Sequence, residues 1–304
     1  VCETYDLDPV SLSARPAQDV VLNIPGDLPV VNFHLALQER VSRIPAKIIS
    51  ATCDPVSKRV RLSIGFEDSV YFSIVLMPRR NVKRDRGAIA LIIDDFGDRW
   101  DSFTRSFTDL GIPFTASVLP GRKNSTLVAR GLAERGCEVI LHLPMEPVSA
   151  RFPRDEYTIL STMGRADILR IIQRSLDQVP AARGMNNHMG SKVTQNAALM
   201  EVILTDIHNR GLFFVDSRTT AKTEAYRVAK RIQMPCTKRD VFLDTEMDEA
   251  TIARQLWKLA EKAEKKGHAV GIGHARSATL RVLQREIEKI QAKGFDFVFI
   301  SDVL

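Results

Sequence analysis

The sequence predicts an α/β protein: a distorted (β/α) barrel of seven or eight strands, preceded by a small α+β domain. Three observations predict it. From Ala88 onward, short apolar runs alternate with amphipathic stretches, the grammar of parallel strands joined by helices. Several of those stretches run into a glycine able to end a helix, in TDLG, AERG, HNRG, EKKG and QAKG. No GxGxxG follows the first apolar run, which counts against the alternative, a doubly wound open sheet.

Taken in order, residues 1–27 are rich in Asp, Pro and Ser and read as an irregular arm. Residues 28–78 read as the small α+β domain. Pro29–Arg43 predicts a short helix with Val30, Val31, Phe33, Leu37 and Val41 apolar, and strands are expected at Ala46–Thr52, Arg59–Phe66 and Val70–Met77. In the second strand Val60, Leu62 and Ile64 alternate with Arg59, Arg61 and Ser63, the period of a half-buried strand. Nothing there suggests catalysis, so a spacer or a docking module for a protein partner is expected. Residues 79–86 read as a basic linker, and residues 87–304 as the barrel. Its strands are expected at Ala88–Ile93, Phe114–Leu119, Glu138–Leu141, Arg183–Asn186, Leu212–Val215, Val241–Leu243 (the weakest), Ala269–Ile272 and Phe295–Ile300. Helices are expected at Asp101–Leu110, Arg165–Val179, Asn196–Asn209, Asp248–Lys266 and Ala278–Lys293.

Bulk properties narrow the function. The chain has 304 residues, 44% of them hydrophobic, enough for one large domain or a large and a small one. The net charge of +6 is spread along the chain with no nucleic-acid recognition motif, so nucleic acid is not an expected partner, whereas an anionic envelope polymer is. Cys2, Cys53, Cys137 and Cys236 lack CxxC spacing and indicate neither a zinc ribbon nor a disulfide framework; Cys137, opening a strand, reads as a buried free thiol. No apolar run approaches the ~18 residues of a membrane span. Because the chain begins at Val1 and not at Met, an upstream signal peptide or anchor is expected to have been removed.

The polar residues that follow the strands carry the chemistry. Asp94 and Asp95 follow the first barrel strand, His142 the third, His188 the fourth, Asp216 and Ser217 the fifth, and His274 a later one. In a βα barrel the C-terminal strand ends surround one mouth, so these side chains are expected to converge. His34, His208 and His268 lie on helical or exposed segments and read as surface residues. Two histidines plus a carboxylate with open positions suit Zn²⁺ or a similar ion, Mn²⁺ and Co²⁺ included. One of the adjacent aspartates would bind the metal while the other works on its water, and a histidine such as His274 would protonate a leaving group. That chemistry is hydrolysis of an amide or ester.

The motifs IDDFG, LHLPMEP, NNHMGS, VDSRT and GIGHAR, in this order, resemble the divergent polysaccharide deacetylases, a branch of the NodB-like carbohydrate esterases. The resemblance covers roughly residues 87–304. It implies a NodB-like distorted barrel in the bacterial cell envelope, acting as a metal-dependent hydrolase that removes acetyl groups from an N- or O-acetylated envelope polysaccharide or from peptidoglycan. It makes Asp94 the general base, Asp95 and His142 metal ligands, and His274 the acid. Many relatives carry His-x-x-x-His, but the second position here is Glu146, so His188 would supply the other ligand. Glu146 would itself be a ligand or hydrogen-bond a ligand histidine. The arginine–proline and Asp-Trp motifs that build the sugar groove elsewhere in the superfamily are not recognisable. A catalytically inactive barrel serving as a glycan- or partner-binding scaffold is therefore the alternative. Asn186 and Asn187 would orient His188 or bind substrate. Arg218 and Arg276 would bind a carboxylate or acetate oxygen, or pair with Glu146 or Asp216. Trp100 would stack on a sugar or pack on the barrel.

Overall fold

The computed structural model describes residues 19–25, 34, 37–38, 41, 45–79 and 86–304, which fall into two compact units, the first running up to Arg86 and including Ala292–Phe295, the second formed by Gly87–Gln291 and Asp296–Leu304. The first unit is a four-stranded sheet, β1 (Asp19–Pro25), β2 (Lys47–Cys53), β3 (Val60–Phe66) and β4 (Ser69–Arg79), in the order β1-β4-β3-β2. The expected alternation holds in part: Val60, Leu62 and Ile64 are buried with Leu22, Ile24, Ile74 and Leu76 while Arg59 and Arg61 face solvent, but Ser63, expected outside, is buried with its hydroxyl 3.3 Å from that of Ser73. The expectation of an irregular arm fails over residues 19–25. That stretch, DVVLNIP, places Leu22 and Ile24 in the core and pairs parallel with β4, so the polar composition around it hid a strand. Most of the expected helix at Pro29–Arg43 lies outside the described residues, as do residues 80–85 of the basic linker; His34, Leu37, Gln38 and Val41 are helical, and residue 79 closes β4.

The second unit is a parallel sheet curled into a distorted, open barrel. Its strands are β5 (Ala88–Phe96), β6 (Thr115–Val118), β7 (Glu138–Met145), β8 (Gly184–Met189), β9 (Phe213–Asp216), β10 (Cys236–Lys238), β11 (Val241–Phe242), β12 (His268–His274) and β13 (Asp296–Val298). The path runs β10-β9-β8-β7-β6-β5-β12-β11, and β13 pairs with the start of β5. Helices α1 (Ser102–Thr108), α2 (Ser125–Glu134), α3 (Arg165–Gln178), α4 (Ala197–Asn209), α5 (Ala225–Arg231), α6 (Glu249–Lys266) and α7 (Ser277–Ala292) fill the connections. Short polar side chains start three of them: Asp101 accepts from Thr104 N–H, Asn196 from Ala198 and Leu199 N–H, and Asp248 from Thr251 N–H. The expected terminating glycines, at 111, 136, 211, 267 and 294, all have φ between 69° and 96°, where a Cβ would be strained. The last strand is shorter than expected, ending at Val298 before a single turn over Ile300–Val303. The three-residue β10 was not anticipated.

Parity inside the barrel positions the site. Ala90 and Ile92 of β5, Ile140 of β7, Phe213 and Val215 of β9, and Val270 and Ile272 of β12 form one buried cluster, plugged by Ile300. Side chains alternate along a strand, so the next inward positions are Asp94, His142, Ser217 and His274. The polar residues are the top layer of the barrel's own interior. Trp100 takes the packing role: a Cβ added at Gly131 of α2 would lie 2.4 Å from its ring. Cys137 is a partly buried free thiol, with burial pushing its pKa up to about 12.

Candidate metal centre

Asp94 and Asp95 are neighbours on one strand, and alternation should send them to opposite faces. A β-bulge reconciles them. Pairing between β5 and β6 skips one residue between Ile93 and Phe96, and Asp95 adopts a left-handed φ of 68°. The bulge bends the strand end so that Asp95 turns to the mouth beside Asp94. A left-handed non-glycine residue is costly and persists where its surroundings hold it, which here means the histidines facing its carboxylate.

Asn186 of β8 organises the inner layer. Its Nδ2 donates to Asp94 Oδ1 at 2.8 Å, so its Oδ1 is the acceptor for Ser117 Oγ–H and for His142 Nδ1, both at 2.7 Å. With its Nδ1 hydrogen committed, neutral His142 directs the Nε2 lone pair into the mouth. That nitrogen lies 3.0 Å from His188 Nδ1 and 3.4 Å from Asp95 Oδ1, and His188 Nδ1 is 3.3 Å from the same oxygen. Asp95 Oδ1 is buried without a hydrogen bond, since the histidine nitrogens face it at ion-pair distance but outside hydrogen-bonding geometry. Burial works to raise Asp95's pKa, yet His142 and His188, with the more distant His274, hold its carboxyl well below the ordinary range. Likewise burial opposes protonation of His142, and the charges of Asp94 and Asp95 outweigh it, raising its pKa.

An orphaned buried carboxylate oxygen facing two imidazole nitrogens is a donor set that a cation completes. Asp95, His142 and His188 each offer a ligand atom within 4.8 Å of the others, and the cluster can hold a metal ion.

His274 stands across the mouth, its Nε2 3.8 Å from Asp95 Oδ2. Its Nδ1 bonds Asp244 Oδ1 at 2.8 Å, and Asp244 Oδ2 accepts from the His274 N–H and from Thr279 Oγ1. Burial alone would lower the His274 pKa; the Asp244 bond and charge win and raise it. Asp244 was not among the expected residues, although the weak strand at Val241–Leu243 runs straight into it.

The other expected residues lie elsewhere. Glu146 Oε2 accepts from Ser161 N–H and Oγ–H, and Oε1 from Lys192 Nζ at 2.8 Å; these donors hold its pKa down at about 2, and it touches neither histidine. Asn187 and Asp216 have the wrong parity. Asn187 links the Ser217 N–H to the Met189 carbonyl, and Asp216 accepts from Arg218 N–H, Thr223 Oγ1 and Tyr226 N–H. The Arg218 side chain is exposed and pairs with neither Glu146 nor Asp216, while Arg276 Nη1 reaches the Asp244 carbonyl at 3.4 Å. Asn186 orients His142, not His188.

Residues 91–304 match the family model described as divergent polysaccharide deacetylase. Over 203 residues the chain is 36% identical to the uncharacterized protein YibQ of Escherichia coli K12, covering 66% of this chain and 62% of that protein's length. It is 31% identical over 202 residues to an uncharacterized protein of Haemophilus influenzae, covering 66% of this chain and 71% of the other. A crystal structure of an uncharacterized protein from Agrobacterium tumefaciens C58 shares the fold, with a TM-score of 0.68 at 22% identity over 72% of this chain and 89% of that one.

Proposed function

The chain belongs to the divergent polysaccharide deacetylase family, and from that premise we propose that it is a metal-dependent hydrolase removing acetyl groups from an envelope glycan. The observation that supports this most is the orphaned Asp95 Oδ1 between His142 Nε2 and His188 Nδ1. In this reading those three residues hold a divalent ion, zinc by preference for a nitrogen-rich set, with manganese or cobalt as substitutes. Such an ion supplies Lewis-acid polarisation of an acyl carbonyl and acidifies water.

The chain's own residues divide the proton work. Asp94, held by Asn186 against the inner wall, is the general base that takes a proton from the attacking water. His274 is the general acid that protonates the leaving sugar nitrogen or oxygen. Asp244 fixes its Nδ1–H, turns Nε2 toward the mouth and favours the protonated ring. Two groups with different partners thus serve two opposite transfers. An envelope location goes with this reading, because that is where such glycans are found.

The test is metal content by elemental analysis of wild type, His142→Ala and His188→Ala, followed by acetate release from N-acetylglucosamine oligomers. Near-stoichiometric metal in wild type and its loss in both variants is expected. Asp94→Asn should keep the metal and lose about 10²–10⁴-fold in rate. A wild type that takes up no Zn²⁺, Mn²⁺ or Co²⁺ would leave the barrel as a glycan- or partner-binding scaffold.

A further inference from the structure

Resting on the hydrolase reading, we propose that a cavity beside His188 is a subsite for a carboxylate carried by the acylated sugar. The cavity has a volume of about 150 Å³, and Arg122, Arg154, Phe152, Met145, Met189 and His188 contribute to its lining. A space of this size holds a group about as large as a benzene ring, so it takes a substituent of the sugar rather than another glycan unit. His188 belongs to both the cavity and the metal cluster, so an occupant lies next to the reacting acyl group.

Two loops build the cavity. The turn after β6 meets the excursion between β7 and α3 at Gly121, where φ is 70° and an added Cβ would fall 2.3 Å from the Tyr157 ring. The same turn roots Arg122: its backbone N–H donates to Ser125 Oγ at 2.9 Å, and its stem packs over Gly97, where a Cβ would come within 3.1 Å of Arg122 Cβ. Gly97 is two residues beyond Asp95, so Arg122 is anchored to the strand end that carries the metal cluster. Arg154 lies over the Phe152 ring at 5.2 Å.

The charges around the cavity are unbalanced. Nearby acids already have partners: Glu146 pairs with Lys192, and Glu156 with Arg174. Asp155, also in the lining, turns Oδ1 to Tyr157 N–H and Thr158 Oγ1 in its own loop. Among the described residues, neither Arg122 nor Arg154 has a carboxylate at ion-pair distance. Two arginines line one small cavity, and a guanidinium matches a planar anion, which it can grip through paired N–H groups. Phe152, Met145 and Met189 offer apolar surface for the C–H face of the sugar bearing it.

The test compares N-acetylglucosamine with N-acetylmuramic acid, which differ by a lactyl ether ending in a carboxylate. Both are titrated by ligand-observed NMR into the metal-loaded full chain. The acidic sugar is expected to bind about tenfold more tightly. Arg122→Gln/Arg154→Gln should collapse that preference, and Arg122→Lys/Arg154→Lys, which keeps the charge, should retain most of it. Equal binding by wild type, or a preference that survives the glutamine pair, overturns the subsite; acetate release from the neutral sugar would then leave the hydrolase standing. Binding of neither sugar also overturns the subsite, and if wild type takes up no metal either, the hydrolase reading falls with it.

Discussion

Asn186 shows how one amide can set the chemistry of a site it does not enter. Its two ends are chemically different: the N–H₂ end must face the acceptor Asp94, so the oxygen end must face His142 Nδ1. That fixes which imidazole nitrogen is free for a cation. Asn186→Leu would keep the side-chain bulk while leaving a buried carboxylate without its donor and a buried imidazole without its acceptor. It should weaken metal binding about 10–100-fold, measured by chelator competition, and cost ~1–3 kcal/mol of stability, measured by denaturant unfolding. Undiminished affinity would show that the His142 tautomer is set by something else. Asn186 was legible as a candidate, but its partner was not. Neighbouring Asn187 has the same chemistry with opposite parity, and only the inward direction of β8 separates them.

Among the elements, the excursion between β7 and α3 is the one the sequence described least well. Glu146 stands where the resemblance leads one to expect a second histidine, which invites a role at the metal. Instead it bolts the excursion to the segment after β8 through Ser161 and Lys192. Glu146→Gln should therefore leave metal content unchanged while speeding hydrogen exchange at the Ser161 amide; lost metal would restore Glu146 to the ligand set. Acid should act in the same direction. The folded pKa of Glu146 is depressed from 4.5 to about 2, so its contribution is full above pH 4.5 and is lost as pH falls toward about 2. Protection of the Ser161 amide, taken relative to its intrinsic exchange at each pH, should fall over that window in wild type and stay flat in the glutamine variant. Helix ends were easier to read than this loop. Asp101, Asn196 and Asp248 act within one turn of their own positions, as do the terminating glycines. Among the described residues β10 pairs only with β9, and its three residues are too few to show a period.

For the whole molecule, every residue assigned to the metal, to proton transfer or to the carboxylate subsite lies within residues 87–304. A chain of those residues alone should bind the same metal with unchanged affinity, measured by the same chelator competition. A large loss would mean that the first unit contributes to the site. Convergence also explains why separate strand ends could be read together. Parallel strands with both faces covered are apolar along their length, so a polar residue closing such a run stands out. Asp244 closes the weakest run in that way, and a strand of two residues is too short to mark its end in the sequence.

The sequence by itself determined the barrel, its helix ends and the strand-end residues Asp94, His142, His188 and His274, because each rests on a local period or on the order of motifs along the chain. Tertiary structure decided the rest. The bulge that turns Asp95 inward depends on pairing with β6, and parity excludes Asp216 and Asn187 only once the barrel interior is known. Asn186 meets His142 across 44 residues and Asp94 across 92, while Asp244 meets His274 across 30. A hydrogen bond tolerates only a few tenths of an ångström in the separation of groups on strands far apart in the chain, and no local pattern encodes that separation.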